Sequence, residues 1–182
     1  MGPGSLDEHI AALRHELIGL LPRLRRFARG LAGNAAEADD LVQESCEKAL
    51  RNAHQFQAGT SLQSWLYRIV QNCWRDRLKS AHRRLVDSVP PEELAEIAGS
   101  SASEAEGRLT LGAVAKAMER LDANQRVVIV LVCVEGYSYA DAAKTLGWPV
   151  GTVMSRLARA RLALHADLEH EDNVVPLLKR NG

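Results

Sequence analysis

Apolar residues recur at helical spacing along most of this chain, and the alternation of apolar and polar residues that marks a strand is nearly absent. In the first segment, Leu13, Leu17, Leu20, Leu24 and Phe27 follow one another at intervals of three or four residues. That period places them on one face of a helix, where they can pack against other helices. The sequence therefore predicts an all-α fold.

Turn and cap residues divide this pattern into seven predicted helices. Their approximate ranges are 6–31, 36–52, 62–78, 104–121, 122–135, 138–146 and 150–168. The β-branched run from Val127 to Val134 could also form a buried strand, but Asp122 is a suitable N-cap before it and Gly136 a suitable helix end after it. We therefore predict a helix there.

The segment of residues 85–107 has a different composition from the rest. It contains six acidic residues and no Lys or Arg, together with Pro90-Pro91 and Gly99-Ser100-Ser101. This composition is typical of a flexible linker, with one short helix predicted at 92–98. The predicted organisation is thus two small helical domains, residues 6–84 and 108–170, joined by an acidic flexible linker.

Composition argues against several function classes. Lys and Arg balance Asp and Glu at 23 each, and the six His and three Cys residues lack the spacing of metal ligands. We expect no metal, no cofactor, no small-molecule substrate and no catalytic residue. Cys46, Cys73 and Cys133 are predicted to be small buried hydrophobic residues. No membrane span or signal peptide is predicted, so the expected location is the cytoplasm.

The stretch from Gly136 to Leu164 predicts two short helices joined by a sharp turn. Ser138 is suited to cap the first helix, Gly147 to form the turn, and Pro149 to start the second helix. One face of the second helix is polar and consists of Thr152, Ser155, Arg156 and Arg159. This arrangement is typical of a helix-turn-helix that inserts its second helix into the major groove of DNA, although a helical hairpin with a solvated basic face gives the same pattern.

The N-terminal domain carries an acidic stripe followed by a polar and basic segment. Asp40, Gln43, Glu44 and Glu47 share one helix face, which suits a basic partner helix or simply solvent. The loop Gln57–Ser64 could form a pocket for an unstacked base. Aromatic and basic side chains follow it: Trp65, Tyr67, Trp74, Arg75, Arg77, Lys79, Arg83 and Arg84. The aromatic side chains could stack on single-stranded bases or belong to the core, and Trp65 fits the core by its spacing.

The C-terminal stretch LDANQRVVIVLVCVEGYSYADAAKTLGWPVGTVMSRLARARLAL closely resembles the promoter −35-binding region of extracytoplasmic function (ECF) sigma factors, a group of the sigma-70 family. The resemblance is carried by Gly136-Tyr137-Ser138-Tyr139, Val150-Gly151-Thr152-Val153 and Ser155-Arg156-Leu157, among others. It implies that −35 DNA is bound by Thr152, Met154, Ser155, Arg156, Ala158 and Arg159. Met154 and Ala158 depart from the common family pattern, which puts a direct hydrogen bond from residue 154 to a base in doubt.

The N-terminal half resembles the core-binding and −10-binding region of the same family. The stretch AAEADDLVQESCEKALRN resembles the helix that grips the clamp helices of the polymerase β′ subunit, which implies core contacts by Asp39, Asp40, Gln43, Glu44 and Glu47. The stretch FQAGTSLQSWLYRIVQNCWRDRLKSAHRR resembles the segment that melts the promoter. It implies −10 contacts by Gln57, Thr60, Ser61, Ser64, Asn72, Arg75, Arg77 and Lys79.

The resemblance implies a non-enzymatic transcription initiation factor and a set of partners. They are core RNA polymerase, through its β′ clamp helices and β flap, promoter DNA, and an anti-sigma factor. The stretch LIGLLPRLRRFARGLAGNAAEADDLVQE also resembles the subgroup that runs the general stress response of alphaproteobacteria. Two other functions stay open at this point: a sigma-like decoy that sequesters an anti-sigma protein without binding DNA, and an enzyme acting on nucleic acid, for which the sequence offers no catalytic motif.

Overall fold

The structure of the protein, a computed structural model, describes the backbone of residues 3–57, 59–88 and 109–178 and the side chains of residues 11–57, 59–84 and 112–168. Most of the predicted linker and the short helix predicted at 92–98 lie outside the described residues. Every regular element within them is helical. The elements are α1 (Pro3–Ala32), α2 (Ala35–Arg51), a 3-10 turn (Ala53–Gln55), α3 (Leu62–Ser88), α4 (Leu109–Arg120), α5 (Ala123–Ile129), a π-helical turn (Val130–Val134), α6 (Tyr139–Leu146) and α7 (Val150–Leu178).

The N-terminal domain is formed by α1, α2 and α3, which pack their apolar faces together. The α1 stripe predicted from the sequence is buried at Leu13, Leu17, Leu24 and Phe27. At the start of α2, the Asn34 side chain accepts a hydrogen bond of 2.9 Å from the Glu37 amide and so satisfies a free N–H of the first turn. The predicted all-α domain is confirmed here.

The C-terminal domain is formed by α4 to α7, and its predicted capping residues are confirmed. Asp122 and Gln125 form a reciprocal capping box at the start of α5, and Ser138 caps α6 through the Asp141 amide. Gly147 ends α6 with φ 68°, a left-handed conformation that glycine adopts without strain. This turn sets the direction in which α7 leaves.

Three elements differ from their predicted form. Helix α7 continues to Leu178 rather than ending near residue 168. Helix α3 continues to Ser88 rather than ending near Leu78, because the polar residues 79–84 include neither Gly nor Pro and sustain a helix without an apolar face. The predicted helix 122–135 changes at Val130 into a π-helical turn, closed by hydrogen bonds from the Glu135 amide to the Val130 carbonyl, 2.9 Å, and from the Tyr137 amide to the Leu131 carbonyl, 3.0 Å.

The prediction that all three cysteines are buried is wrong for Cys133. Cys73 is buried and Cys46 is half-buried, but Cys133 is exposed. The reason is that the chain leaves the core after Leu131, which is fully buried, so that Val134 is 51% exposed. Instead of packing inside, the Cys133 sulfur lies 3.6 Å from the Arg161 guanidinium.

The two domains pack against each other around α5 and share one continuous apolar core. Helix α5 and the π-helical turn contact α1, while α6 contacts α3. Gly30 of α1 lies so near Val130 that a Cβ placed on Gly30 would lie 2.7 Å from Val130 Cγ2. A side chain at residue 30 would therefore force Val130 or the neighbouring backbone to shift.

We expect Gly30→Ala to destabilise the packed form by about 1–3 kcal/mol, because the fully buried, β-branched Val130 would have to shift away from the added Cβ. Gly19→Ala is the matched control, since it lies in the same helix with nothing within 4 Å of the added Cβ. It should stabilise the protein by up to about 1 kcal/mol through helix propensity. Urea unfolding of the two variants measures the difference, and equal stabilisation by both would contradict the close packing.

Candidate nucleic-acid interface

The loop predicted to capture a base lies between the 3-10 turn and α3, and its side chains also organise the loop itself. Thr60 donates a 2.7 Å hydrogen bond to the Gln57 carbonyl, and Ser61 accepts one of 3.2 Å from the Ser64 amide at the start of α3. Gln57, Thr60 and Ser61 are exposed, whereas Ser64 is half-buried. Three of the four predicted loop residues are thus accessible.

This loop forms one wall of a cleft of about 740 Å³ between the two domains. The other wall belongs to the C-terminal domain and includes Gly136, Tyr137, Asp141 and Lys144. Across the cleft, the Ser64 and Tyr137 hydroxyls share a hydrogen bond of 3.1 Å. In this arrangement the loop faces α6 and the turn before it.

Two aromatic residues suggested for base stacking are buried instead. Tyr67 is fully buried and stacks on Phe27 with ring centroids 4.3 Å apart, and Trp74 is 6% exposed. The Arg126 guanidinium lies over Trp74, 5.4 Å from the ring centroid. Both rings are therefore occupied by contacts within the protein, and the stacking interpretation is wrong for them in this arrangement. Trp65 packs partly buried beside Phe56, as its spacing predicted.

The basic residues of α3 differ in their availability. Arg75 and Lys79 are exposed, and the half-buried Asn72 lies beside Arg75. Arg77 instead forms an ion pair with Glu44 of α2, with an Nη2 to Oε2 distance of 2.7 Å. The sequence assigned Arg77 to DNA and Glu44 to polymerase, and the structure brings these two side chains together.

The acidic stripe of α2 faces solvent. Asp39, Asp40, Gln43 and Glu47 are exposed and Glu44 is half-buried, while the opposite face of α2 buries Leu41, Val42 and Ala49. Asp39 forms a surface ion pair with Arg25 at 3.3 Å. A basic helix could therefore contact this stripe without disturbing the core.

The polar face of α7 is also open. The opposite side of the helix buries Val153, Leu157 and Ala160 against the rest of the C-terminal domain. On the other side Met154, Ser155, Ala158 and Arg159 are exposed, with Thr152 and Arg156 half-buried. The Arg156 guanidinium lies 4.1 Å from the centroid of the Trp148 ring. The predicted DNA-binding residues thus line the outer side and one flank of α7.

A buried carboxylate at the domain interface was not predicted. The Glu135 side chain is 2% exposed, although it belongs to the C-terminal domain and its partners to the N-terminal domain. Arg26 donates to both carboxylate oxygens, at 2.7 and 3.1 Å, and the Tyr67 hydroxyl donates to one of them. A buried charge is tolerated when it is paired and hydrogen-bonded in this way. We call Arg26, Tyr67 and Glu135 the interdomain triad.

The triad shifts the proton affinities of its members. Burial and the hydrogen bond to Glu135 raise the pKa of Tyr67, so its hydroxyl stays protonated and available as a donor. The hydrogen bond to Glu135 also raises the pKa of Arg26, which keeps the guanidinium charged. Tyr67 and Arg26 both stay protonated, so both can donate hydrogen bonds to the buried Glu135 carboxylate.

Two further arginines cross the interface by binding backbone carbonyls. Arg68 of α3 donates to the carbonyls of Thr145, 2.7 Å, and Lys144, 2.6 Å, near the end of α6. Arg126 of α5 donates to the Leu31 carbonyl near the end of α1 at 2.7 Å. Helix C-termini present unpaired carbonyls and a negative dipole, so both contacts are favourable. Burial lowers the pKa of Arg126, whose Nε is buried without a hydrogen-bond partner among the described residues.

We expect Arg26→Met to destabilise the packed form clearly more than Arg25→Met does, because it removes both hydrogen bonds that Arg26 donates to the buried Glu135 carboxylate. Arg25→Met is the matched control, because its ion pair with Asp39 is more than half exposed on both sides and should contribute under about 1 kcal/mol. Adding Glu135→Gln to Arg26→Met should recover part of the loss, since a neutral amide is less costly to bury. Urea unfolding with small-angle scattering checks these outcomes; equal effects of the two methionine substitutions would contradict the role of the triad.

No described helix is long and apolar enough to cross a membrane, and no group of metal-ligating side chains occurs among the described residues.

Comparison with known families gives two matches that follow the domain boundaries. The family model for sigma-70 region 2 matches residues 19–84, and the model for sigma-70 region 4 matches residues 111–164. Together they cover most of both predicted domains.

Similar proteins of known name agree with these matches. The ECF RNA polymerase sigma factor EcfG of Rhodopseudomonas palustris is 35% identical over 181 residues, which cover 94% of this chain and 97% of that protein. Among solved structures, the sigma factor RpoE of Bartonella quintana, in complex with the anti-sigma factor NepR, matches with a TM-score of 0.71 and 34% identity over 86% of this chain and 96% of that one. CnrH, in complex with the cytosolic domain of CnrY, matches with a TM-score of 0.64 and 27% identity, covering 90% and 94% of the two chains.

Proposed function

The chain belongs to the sigma-70 family as an ECF RNA polymerase sigma factor, and we propose that it directs core polymerase to promoters through three surfaces. The acidic stripe of α2 binds the β′ clamp helices, the loop before α3 with Asn72 captures melted −10 DNA, and the polar face of α7 binds the −35 element. Nucleotide addition belongs to the polymerase, and this chain supplies recognition alone.

The observation that carries this proposal is the simultaneous exposure of two chemically different surfaces. On α2, Asp39, Asp40 and Glu47 present negative charge to solvent, which suits a basic partner helix. On α7, Arg159 presents hydrogen-bond donors, and the Ser155 hydroxyl, which donates to the Thr152 carbonyl at 3.1 Å, presents an acceptor. Both lie on the helix that follows a tight turn, which suits the major groove. A chain that binds polymerase and DNA at once needs both surfaces.

In this proposal, the two domains are packed together in the free protein and separate when the polymerase-bound chain captures melted DNA. The loop before α3 faces α6 across the interdomain cleft, and Ser64 is already hydrogen-bonded to Tyr137. Single-stranded DNA would have to displace that wall to reach the inner side of the loop. The B. quintana relative is bound to an anti-sigma factor, which supports control of this chain by such a partner and membership of the stress-response subgroup. In this proposal, the anti-sigma protein holds the packed form.

In vitro transcription with purified core polymerase tests the function directly. We expect promoter-specific transcripts from a template library only when this chain is added, and their loss when the anti-sigma partner is added. Binding to an anti-sigma protein with neither core binding nor transcription would support the decoy function instead.

We expect Asp40→Lys to weaken core binding about tenfold or more, because it places a positive charge opposite a basic helix. Asp40 is exposed, so folding should be unaffected. Glu16→Lys is the matched control, with the same charge change on an exposed residue of α1 outside the stripe. Glu44→Lys is a poorer test, since it would also break the ion pair with Arg77. Equal core affinity of the Asp40 and Glu16 variants, measured by fluorescence anisotropy, would remove Asp40 from the interface.

A further inference from the structure

Arg156 lies on the flank of α7 rather than at the centre of its exposed face. With 3.6 residues per turn, it lies roughly 70° from the centre of the stripe formed by Val153, Leu157 and Ala160, whereas Arg159 and Ser155 lie roughly 130° and 170° away. Arg156 is accordingly half-buried, and Arg159 and Ser155 are exposed. The three side chains therefore point to different parts of a groove that holds this helix.

Trp148 provides a fixed surface for the Arg156 side chain. Its backbone N–H donates to the Ala143 carbonyl at 3.0 Å, directly after the left-handed Gly147, and its ring packs partly buried against the core. The Arg156 guanidinium carbon lies 4.1 Å from the ring centroid, well within the range of a cation–π contact. The turn between α6 and α7 thus places the Trp148 ring against the Arg156 guanidinium.

The stack leaves the hydrogen-bonding edges of Arg156 available. A cation–π contact uses the flat face of a guanidinium, and the five N–H groups lie in its plane. Other arginines donate their N–H groups to acceptors within the protein, namely Arg26, Arg68, Arg77 and Arg126. Among the described residues, Arg156 instead contacts the Trp148 ring through the face of its guanidinium.

We propose that Trp148 is a positioning residue that holds Arg156 as a clamp for one DNA phosphate at the edge of the major groove, leaving Ser155 and Arg159 to contact base edges. The inference rests on the proposed −35-binding function of α7. A flanking arginine near the start of a recognition helix faces the strand that borders the groove, and phosphate contacts of this kind fix the register of the helix without carrying sequence information. Holding the guanidinium in place before binding reduces the entropy lost on contact.

The test uses reconstituted holoenzyme and a labelled duplex selected by wild-type holoenzyme from a pool randomised at the upstream element. Arg156→Gln should lower affinity and reduce the slope of log K against log salt by about 0.9, the loss of one phosphate contact, with base preference unchanged. Trp148→Leu, which keeps an apolar side chain for the core, should lower affinity about fivefold. Trp148→Phe, which keeps an aromatic face, should stay within about twofold of wild type.

A double-mutant cycle separates positioning from a structural role. In the Arg156→Gln background, Trp148→Leu should cause no further loss, whereas general loosening of the turn would lower affinity again and overturn the inference. A changed base preference in Arg156→Gln would also overturn it, since Arg156 would then contact a base. Failure of the proposed function looks different, because wild-type holoenzyme would then select no duplex at all.

Discussion

The buried Glu135 carboxylate is the interaction on which the domain arrangement depends. Removing a carboxylate from water costs several kcal/mol, and this cost is offset only while Arg26 and Tyr67 remain in place. Arg26 and Tyr67 belong to the other domain. When the domains separate, the Glu135 carboxylate therefore loses these donors and regains water at the same time. The triad therefore makes the interface specific in geometry while adding little net stability, which suits a contact that forms and breaks.

The apolar contacts around the triad also suit an interface that forms and breaks. Tyr67 stacks on Phe27 within its own domain and lies 5.8 Å from Tyr137 of the other, so opening exposes one side of an aromatic cluster rather than dismantling it. The contact of Val130 with Gly30 depends on the missing side chain of glycine. The domains can thus separate without breaking the Phe27–Tyr67 stack, which lies within the N-terminal domain, although opening divides the apolar core that they share.

Helical periodicity and capping chemistry were sufficient to predict the all-α fold and the starts of α5 and α6, because both are local properties of sequence. The Asp122 and Ser138 caps and the left-handed Gly147 needed only a few neighbouring residues. Glu135 could not be predicted in the same way: it is a single acid after an apolar run, and its partners are 68 and 109 residues away. The sequence left open whether Tyr67 and Trp74 stack on bases or belong to the core, because their partners Phe27 and Arg126 are distant in sequence. The exposure of Cys133 follows from the π-helical turn, which no residue pattern marks.

The three proposed functional surfaces are affected unequally by domain packing. The acidic stripe of α2 and the outer face of α7 remain open to solvent, whereas the loop before α3 faces the cleft closed by α6. Polymerase can therefore engage α2 while the domains are still packed, and −35 DNA can reach Ser155 and Arg159 in the same state. In the proposed function, capture of melted −10 DNA is the step that requires separation, because Ser64 of the loop shares a hydrogen bond with Tyr137, two residues from the triad carboxylate. The energetic cost of opening thus falls on the melting step, where polymerase binding energy is available to offset it.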